Sequence, residues 1–291
     1  MTGKIVKGIA GFYYVNIDSE GTFECNAKGA FRNEGTKPLV GDDVEMDVID
    51  KDKLTGNVVR ILPRRNDLIR PACANVDQAI VIFAVKTPEP NLNLLDRFLI
   101  YMDKEEIPCS VCFNKADLST KDEEALFRSV YEKSGIPFFF ISTKTGEGME
   151  ELRQNLYGKT TVLAGPSGVG KSSLINVLCG ESTMETGAVS RKTDRGKHTT
   201  RHVELLNIDR GTYILDTPGF TSLDIFEFKD DVKYCYREFE PYEGTCRFRT
   251  CMHISEPGCA VKEAVEKGLI NRLRYESYVR IYNEAKRPIN Y

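Results

Sequence analysis

The chain has 291 residues, 41% of them hydrophobic and 29% charged, which is enough apolar material for two or three domains that fold without disulfide staples. Forty basic residues against forty-three acidic ones give a formal charge of -3, which excludes a globally basic nucleic-acid binder of the tail or histone-like kind. No run approaches eighteen uninterrupted apolar residues, and Met1-Thr2-Gly3-Lys4-Ile5-Val6-Lys7 breaks up a signal-peptide core. The expectation is a soluble cytoplasmic protein with no membrane contact. Most of the nine cysteines stand singly in apolar segments, as reduced thiols do in a reducing compartment.

From Gly3 to about Leu62, short alternating runs (Phe12 to Ile17, Val44 to Ile49, Asn57 to Leu62) are separated by glycine-containing turns, which predicts a small all-β barrel over 1–65. An oligonucleotide-binding-type barrel and an SH3-like barrel fit this pattern equally. Asp42, Asp43, Glu45, Asp47, Asp50 and Asp52 concentrate negative charge there, which runs against an RNA-binding face. Pro63 to Asp67 and Arg70-Pro71 read as a linker, since proline removes ladder donors.

Beyond Pro71, strand-like runs at Asp77 to Val85, Ser110 to Phe113, Pro137 to Ile141, Thr161 to Ala164 and Thr212 to Leu215 alternate with helical-period segments. This predicts an α/β domain over 71–224. Leu94, Leu95, Phe98, Leu99 and Met102 follow the spacing of a helix with one face on a sheet. From 225 to 291 the strand pattern stops, Leu269 to Ala285 reads as helix, and a mainly α third domain is expected.

Gly165-Pro166-Ser167-Gly168-Val169-Gly170-Lys171-Ser172, followed by Ser173, fits the P-loop pattern and lies between a predicted strand and a predicted helix. Its glycines let backbone N–H groups converge on phosphates, Lys171 neutralises phosphate oxygens and Ser172 can ligate Mg²⁺. Asn114-Lys115-Ala116-Asp117 follows a strand in a spacing that suits guanine, because a carboxylate at Asp117 accepts from both N1–H and N2–H. Adenine offers no such donor pair. Ser142-Thr143-Lys144 follows the next strand, where GTPases place a backbone N–H that reads guanine O6. Asp216-Thr217-Pro218-Gly219 follows a further strand, with Asp216 placed to hold a Mg²⁺ water and the Gly219 N–H to meet a γ-phosphate. Between these motifs, Arg195 to His202 has the composition of a switch segment carrying a Mg²⁺-binding threonine. Thr199 or Thr200 can serve, and Thr200 is preferred.

The base-reading motifs precede the P-loop, the reverse of an ordinary GTPase, so the nucleotide domain is circularly permuted and the Asp216 motif ends it. The third segment carries Cys246-x4-Cys251-x-His253-x5-Cys259, the inventory of one closed structural Zn²⁺ site, with Cys235 as a lower-ranked alternative ligand. Cys109-x-x-Cys112 has redox spacing but falls within a predicted strand, so packed thiols are expected.

These motifs, in this order and over essentially the whole chain, resemble the RsgA/YjeQ family of circularly permuted bacterial GTPases. The resemblance implies an OB-like barrel, a permuted GTPase domain and a zinc domain. Together these engage the small ribosomal subunit and its rRNA late in its maturation, with ribosome-stimulated hydrolysis of GTP to GDP and phosphate. Phe220 stands after Gly219 and cannot orient an attacking water. The resemblance points instead to a switch histidine, His198 first and His202 second, beside Thr200 and Gly219. Unaided turnover is expected to be slow, since Ras-like enzymes with a glutamine reach only roughly 10⁻⁴ to 10⁻³ s⁻¹.

Local cations offer phosphate contacts: Arg60, Arg64, Arg65 and Arg70 near the linker, and Arg272, Arg274, Arg280, Lys286 and Arg287 near the carboxyl end. A monomer is expected. A GTP-sensing RNA scaffold with incidental hydrolysis is the alternative of another class, and Asp117 argues against a third reading, an ATP-using P-loop kinase.

Overall fold

The computed structural model describes residues 1–27, 37–69, 71–186, 203–216 and 232–285. They belong to two compact units, one of Met1–Ile80, Met149–Ala164 and Lys171–Phe220, the other of Val81–Gly148, Gly165–Gly170 and Thr221–Tyr291.

The first unit begins with β1 (Thr2–Ile9), β2 (Phe12–Ile17), β3 (Gly21–Ala27), β4 (Asp43–Asp50) and β5 (Thr55–Ile61). Antiparallel pairs β1–β2, β2–β3, β4–β5 and β1–β4 are completed by a parallel β3–β5 pair, so the strands close in the order β1-β2-β3-β5-β4. That closure decides for the OB-type barrel over the SH3-like one. Alternation drives it: Ile5, Val15, Phe23, Cys25, Val44, Met46 and Val58 point inward into one core, and the ring gives each strand two neighbours.

Four members of the acidic run have cationic partners. Asp42, fully buried, accepts from Arg64 Nε at 2.7 Å and Nη2 at 2.9 Å. Asp43 pairs with Lys4 at 2.8 Å, Glu45 accepts from Arg60 Nε at 3.1 Å, and Asp50 pairs with Lys53 at 3.3 Å. Arg65 is held by Asp77. The linker arginines expected to meet phosphate are therefore engaged by carboxylates, Arg70 lying outside the described residues. The linker itself forms a two-strand ladder, β6 (Asp67–Leu68) on β7 (Cys73–Ala74).

The chain continues through β8 (Gln78–Ala84), α1 (Leu92–Lys104), β9 (Cys109–Asn114), α2 (Lys121–Tyr131), β10 (Phe138–Phe140), α3 (Met149–Leu156), β11 (Thr160–Ala164), α4 (Lys171–Thr186), β12 (Glu204–Asp209), β13 (Thr212–Asp216), α5 (Ala260–Glu266) and α6 (Arg272–Ala285). Short 3₁₀ segments cover Val232–Cys235 and Arg237–Tyr242. No helix among the described residues is long and apolar enough to cross a membrane.

In the first unit β11 pairs parallel with β13, β13 antiparallel with β12, and β12 antiparallel with β1, Lys7 facing Glu204. The strand β12 is not foreseen from the sequence. It carries the sheet into the barrel, and the join is pinned by the buried Asn16, whose Oδ1 accepts from Tyr213 OH at 2.9 Å and Asn207 Nδ2 at 3.0 Å.

In the second unit β10 lies parallel to β9, with β8 next in order; β8 is buried throughout, β9 buries Val111, Cys112 and Phe113, and β10 buries Phe139. Helix α1 is capped by Asn91, whose Oδ1 accepts from Leu94 N at 3.0 Å. It buries Leu95, Phe98, Leu99 and Met102 as its period predicts, but also Asp96 and Ile100. Ile100 joins a carboxyl-terminal core of Val232, Tyr236, Phe239, Tyr278 and Ile281, so the helix is covered from two sides.

Candidate functional site

Strand β9 ends at Asn114, which is fully buried, and the chain then turns through Lys115 at φ +64°. The Asn114 Nδ2 donates to the Val169 carbonyl at 2.9 Å, while its Oδ1 accepts from Lys115 N at 2.7 Å and Thr143 N at 3.4 Å. One side chain thus ties three sequence-distant motifs together. Stripping a partner from any of these sheltered groups costs about 1–3 kcal/mol.

Asp117 sits in a short 3₁₀ turn, its side chain 15% exposed. The buried Ser142 hydroxyl donates to Asp117 Oδ1 at 2.7 Å and accepts from Thr145 N at 3.1 Å and Lys144 N at 3.3 Å. The Lys144 ammonium lies 3.9 Å from Asp117 Oδ2, but its side chain is 81% exposed and the attraction is screened. A carboxylate held by a buried hydroxyl is a preorganised acceptor for two adjacent N–H donors, the pattern on the guanine edge.

The Lys115 ammonium donates to the carbonyls of Gly168, at 2.9 Å, and Thr87. These bonds are not legible in the sequence, because nothing in Asn114 to Asp117 names Thr87 as a neighbour.

Glycines of the P-loop stand where side chains cannot. A Cβ on Gly170, at φ +99°, would lie 2.2 Å from Asn114 Nδ2, and one on Gly165, at φ +134°, 2.1 Å from the Ile82 carbonyl oxygen. Val169 is buried, whereas Ser167 and Gly168 are exposed and Pro166 is half-buried. Lys171, Ser172 and Ser173 open α4, the last two exposed at its first turn. Asp216 closes β13, its backbone opposite Glu204. His198, His202, Thr199, Thr200 and Gly219 lie outside the described residues.

The carboxyl-terminal cluster assembles as its spacing predicts. One ligand atom from each of Cys246, Cys251, His253 and Cys259 falls within 4.8 Å of the others, and the last three residues are buried. His253, at φ +60°, presents Nδ1 3.4 Å from Cys259 Sγ and 3.6 Å from Cys246 Sγ. A tetrahedral Zn²⁺ with ordinary Zn–S and Zn–N bonds requires an N···S separation of about 3.5 Å, so the donor set fits that ion. The Nε2 lies 2.9 Å from Glu243 Oε1, and Glu243 pairs with Lys233 at 3.1 Å. This outer contact selects the tautomer with Nδ1 free as a ligand.

Cys109 and Cys112 lie in β9 as packed thiols, burial pushing Cys109 up to about 12 and Cys112 higher still. Arg274 corrects its sequence reading: it is 2% exposed and bound to Asp96 and Glu238, not presented to phosphate. Arg280 pairs with Glu284 at 3.4 Å, Arg272 is exposed, and Lys286 and Arg287 lie outside the described residues.

Residues 2–55 match the family model described as RsgA N-terminal domain, and residues 61–226 match RsgA GTPase. The chain is 53% identical to the small ribosomal subunit biogenesis GTPase RsgA of Agathobacter rectalis, with all of both chains covered. It is 47% identical to the same-named protein of Caldanaerobacter subterraneus, covering 98% of this chain and 95% of that one. Among solved structures it resembles YjeQ from Thermotoga maritima (TM-score 0.80, 36% identity, 99% of each chain). It also resembles YloQ, described as a circularly permuted GTPase (TM-score 0.79, 35% identity, 99% of this chain and 96% of that one). With the guanine motif bound to the P-loop in reversed chain order, and with this likeness along its whole length, the chain belongs to the RsgA family of circularly permuted GTPases.

Proposed function

We propose that this protein hydrolyses GTP to GDP and phosphate while acting in late maturation of the small (30S) ribosomal subunit, and that the subunit sets its turnover. The observation that supports the reading is the 2.9 Å bond from Asn114 to Val169, which brings the turn after β9 against the P-loop, as one nucleotide bound by both would require. In this reading Asp117 accepts from guanine N1–H and N2–H, with Ser142, Thr143 and Lys144 closing the pocket wall and Lys115 and Ala116 shaping its turn. Gly165 to Gly170 wrap the phosphates with backbone N–H groups, and Lys171, Ser172 and Ser173 continue the cradle onto α4.

Mg²⁺, when bound, neutralises charge on the β and γ oxygens; Ser172, Thr200 and Asp216 are the residues to hold it. His198 and the Gly219 N–H are assigned to the attacking water and the γ-phosphate. One structural Zn²⁺ is assigned to Cys246, Cys251, His253 and Cys259, a closed set with no position for substrate. The functional modules are taken as 1–65, 71–224 and 225–291, in a monomeric cytoplasmic protein whose partners are the subunit, its rRNA and GTP/GDP.

The test is GTP turnover with and without purified small subunits, alongside co-sedimentation with a non-hydrolysable GTP analogue. Stimulated phosphate release and nucleotide-dependent pelleting are expected. Pelleting without any stimulation would favour the RNA scaffold instead.

A further inference from the structure

Arg274 on α6 is enclosed between two carboxylates and two rings. Its Nε donates to Glu238 Oε1 at 2.7 Å and its Nη1 to Asp96 Oδ1, while the guanidinium carbon lies 4.4 Å from the Tyr236 ring centroid and 5.2 Å from that of Tyr131. Tyr131 OH donates to the same Asp96 oxygen at 3.1 Å. Side chains of Arg274, Asp96 and Glu238 are each at most 3% exposed. A buried ionic cluster of this kind does not stretch gradually, because separating one partner leaves charge unpaired away from water.

Two further bonds join the same helices: Asn93 Nδ2 to Ser277 Oγ at 3.1 Å, and Arg97 to Glu284. Helix α1 and the metal-cluster domain therefore move together. The chain entering α1 is in turn fastened to the base-reading turn. Val85 N donates to the Asn114 carbonyl at 3.0 Å, Lys86 Nζ to the Leu118 carbonyl at 3.2 Å, and Lys115 Nζ to the Thr87 carbonyl. The same Lys115 ammonium holds the Gly168 carbonyl of the P-loop. A shift of the metal-cluster domain that carries α1 with it must drag Thr87, and Lys115 cannot follow without loosening Gly168.

We infer that Arg274 is a positioning residue through which the metal-cluster domain controls how long a guanine nucleotide stays bound, so that docking of a partner on that domain acts as a nucleotide-release lever. The inference rests on the guanine-nucleotide reading of the site. Because the linkage runs on the base side, it acts on GDP and GTP alike. A route through the γ-phosphate switches would discriminate between them.

The test is stopped-flow release of mant-GDP and of mant-GMPPNP from the full-length protein, chased with excess unlabelled GDP. Arg274→Lys, which keeps charge but loses the fork, is expected to speed release of both nucleotides by the same factor, about fivefold or more. Arg274→Met should exceed it, and the milder Arg97→Ala, removing only a rim contact between α1 and α6, should move in the same direction if Arg274 variants fail to fold. In a Lys115→Met background the effect of Arg274→Lys should shrink at least threefold, since the lever then has nothing to pull. Effects that multiply in full, release unchanged in folded variants, or acceleration confined to the triphosphate analogue would each overturn the link. Wild-type protein unable to hold mant-GDP would overturn the nucleotide reading with it, whereas bound mant-GDP and unaltered variants overturn the link alone.

Discussion

Replacing Ser142 by alanine tests whether Asp117, the carboxylate proposed to select guanine, is held in place or simply present. The hydroxyl is fully buried, lies 2.7 Å from Asp117 Oδ1 and has no competing water-exposed face. A hydrogen bond to a charged group contributes about 1.5–3 kcal/mol, and with the Asp117 side chain only 15% exposed, solvent replaces little of it. Taking about 1.5–2.5 kcal/mol as the loss, GDP should bind about 10- to 70-fold more weakly, at 1.4 kcal/mol per tenfold. Calorimetric titration with GDP and with IDP, which lacks the 2-amino donor, reads both parts of the argument. The GDP-over-IDP preference should shrink along with affinity, because a freely rotating carboxylate no longer meets two donors at once. A folded Ser142→Ala protein that binds GDP within threefold of wild type, or keeps its GDP-over-IDP ratio, would refute the reasoning.

The buried ion pair, the metal cluster and the strand thiols each set a further expectation. Arg64→Met leaves the fully buried Asp42 without its two guanidinium bonds and should destabilise the protein by about 3–5 kcal/mol in urea unfolding, with Arg64→Met/Asp42→Leu recovering much of the loss. Zinc analysis of freshly reduced protein should give one equivalent, and Cys251→Ser should lose it and lower stability by several kcal/mol (~3–5), since ligand binding and folding of such a cluster are one process. Burial raises the Cys109 thiol to about 12, so its thiolate is about one part in 10⁴ at pH 8 and reactivity should rise only as pH climbs toward that value. Iodoacetamide labelling mapped by mass spectrometry should therefore spare Cys109 and Cys112 at pH 8 until urea is added.

The guanine motif, the P-loop and the Cys/His cluster were legible because each packs its chemistry into a short stretch whose spacing survives folding. The β8, β9, β10, β11 and β13 strands were legible for a related reason: buried strands read as unbroken apolar runs. The barrel's closure was not, since the parallel β3–β5 pair joins segments that alternation alone cannot match to one another. Arg274 shows a deeper limit. A cation reads as surface until its partners are known, and Asp96 and Glu238 lie far from it in the chain. The Lys115 contact with Thr87 was hidden for the same reason, its partner being supplied by another loop.

The pairing of β1 with β12 makes the amino-terminal barrel something other than a detachable bead. Sheet bonds, the Lys7–Glu204 contact at 3.2 Å and the Asn16 bridge would all persist if a protease nicked the backbone between Leu62 and Pro71. The two fragments should then co-elute on gel filtration and part only in denaturant. A recombinant product started after that linker would expose β12 as a raw sticky margin and should aggregate, so the barrel serves its neighbour as a permanent cover.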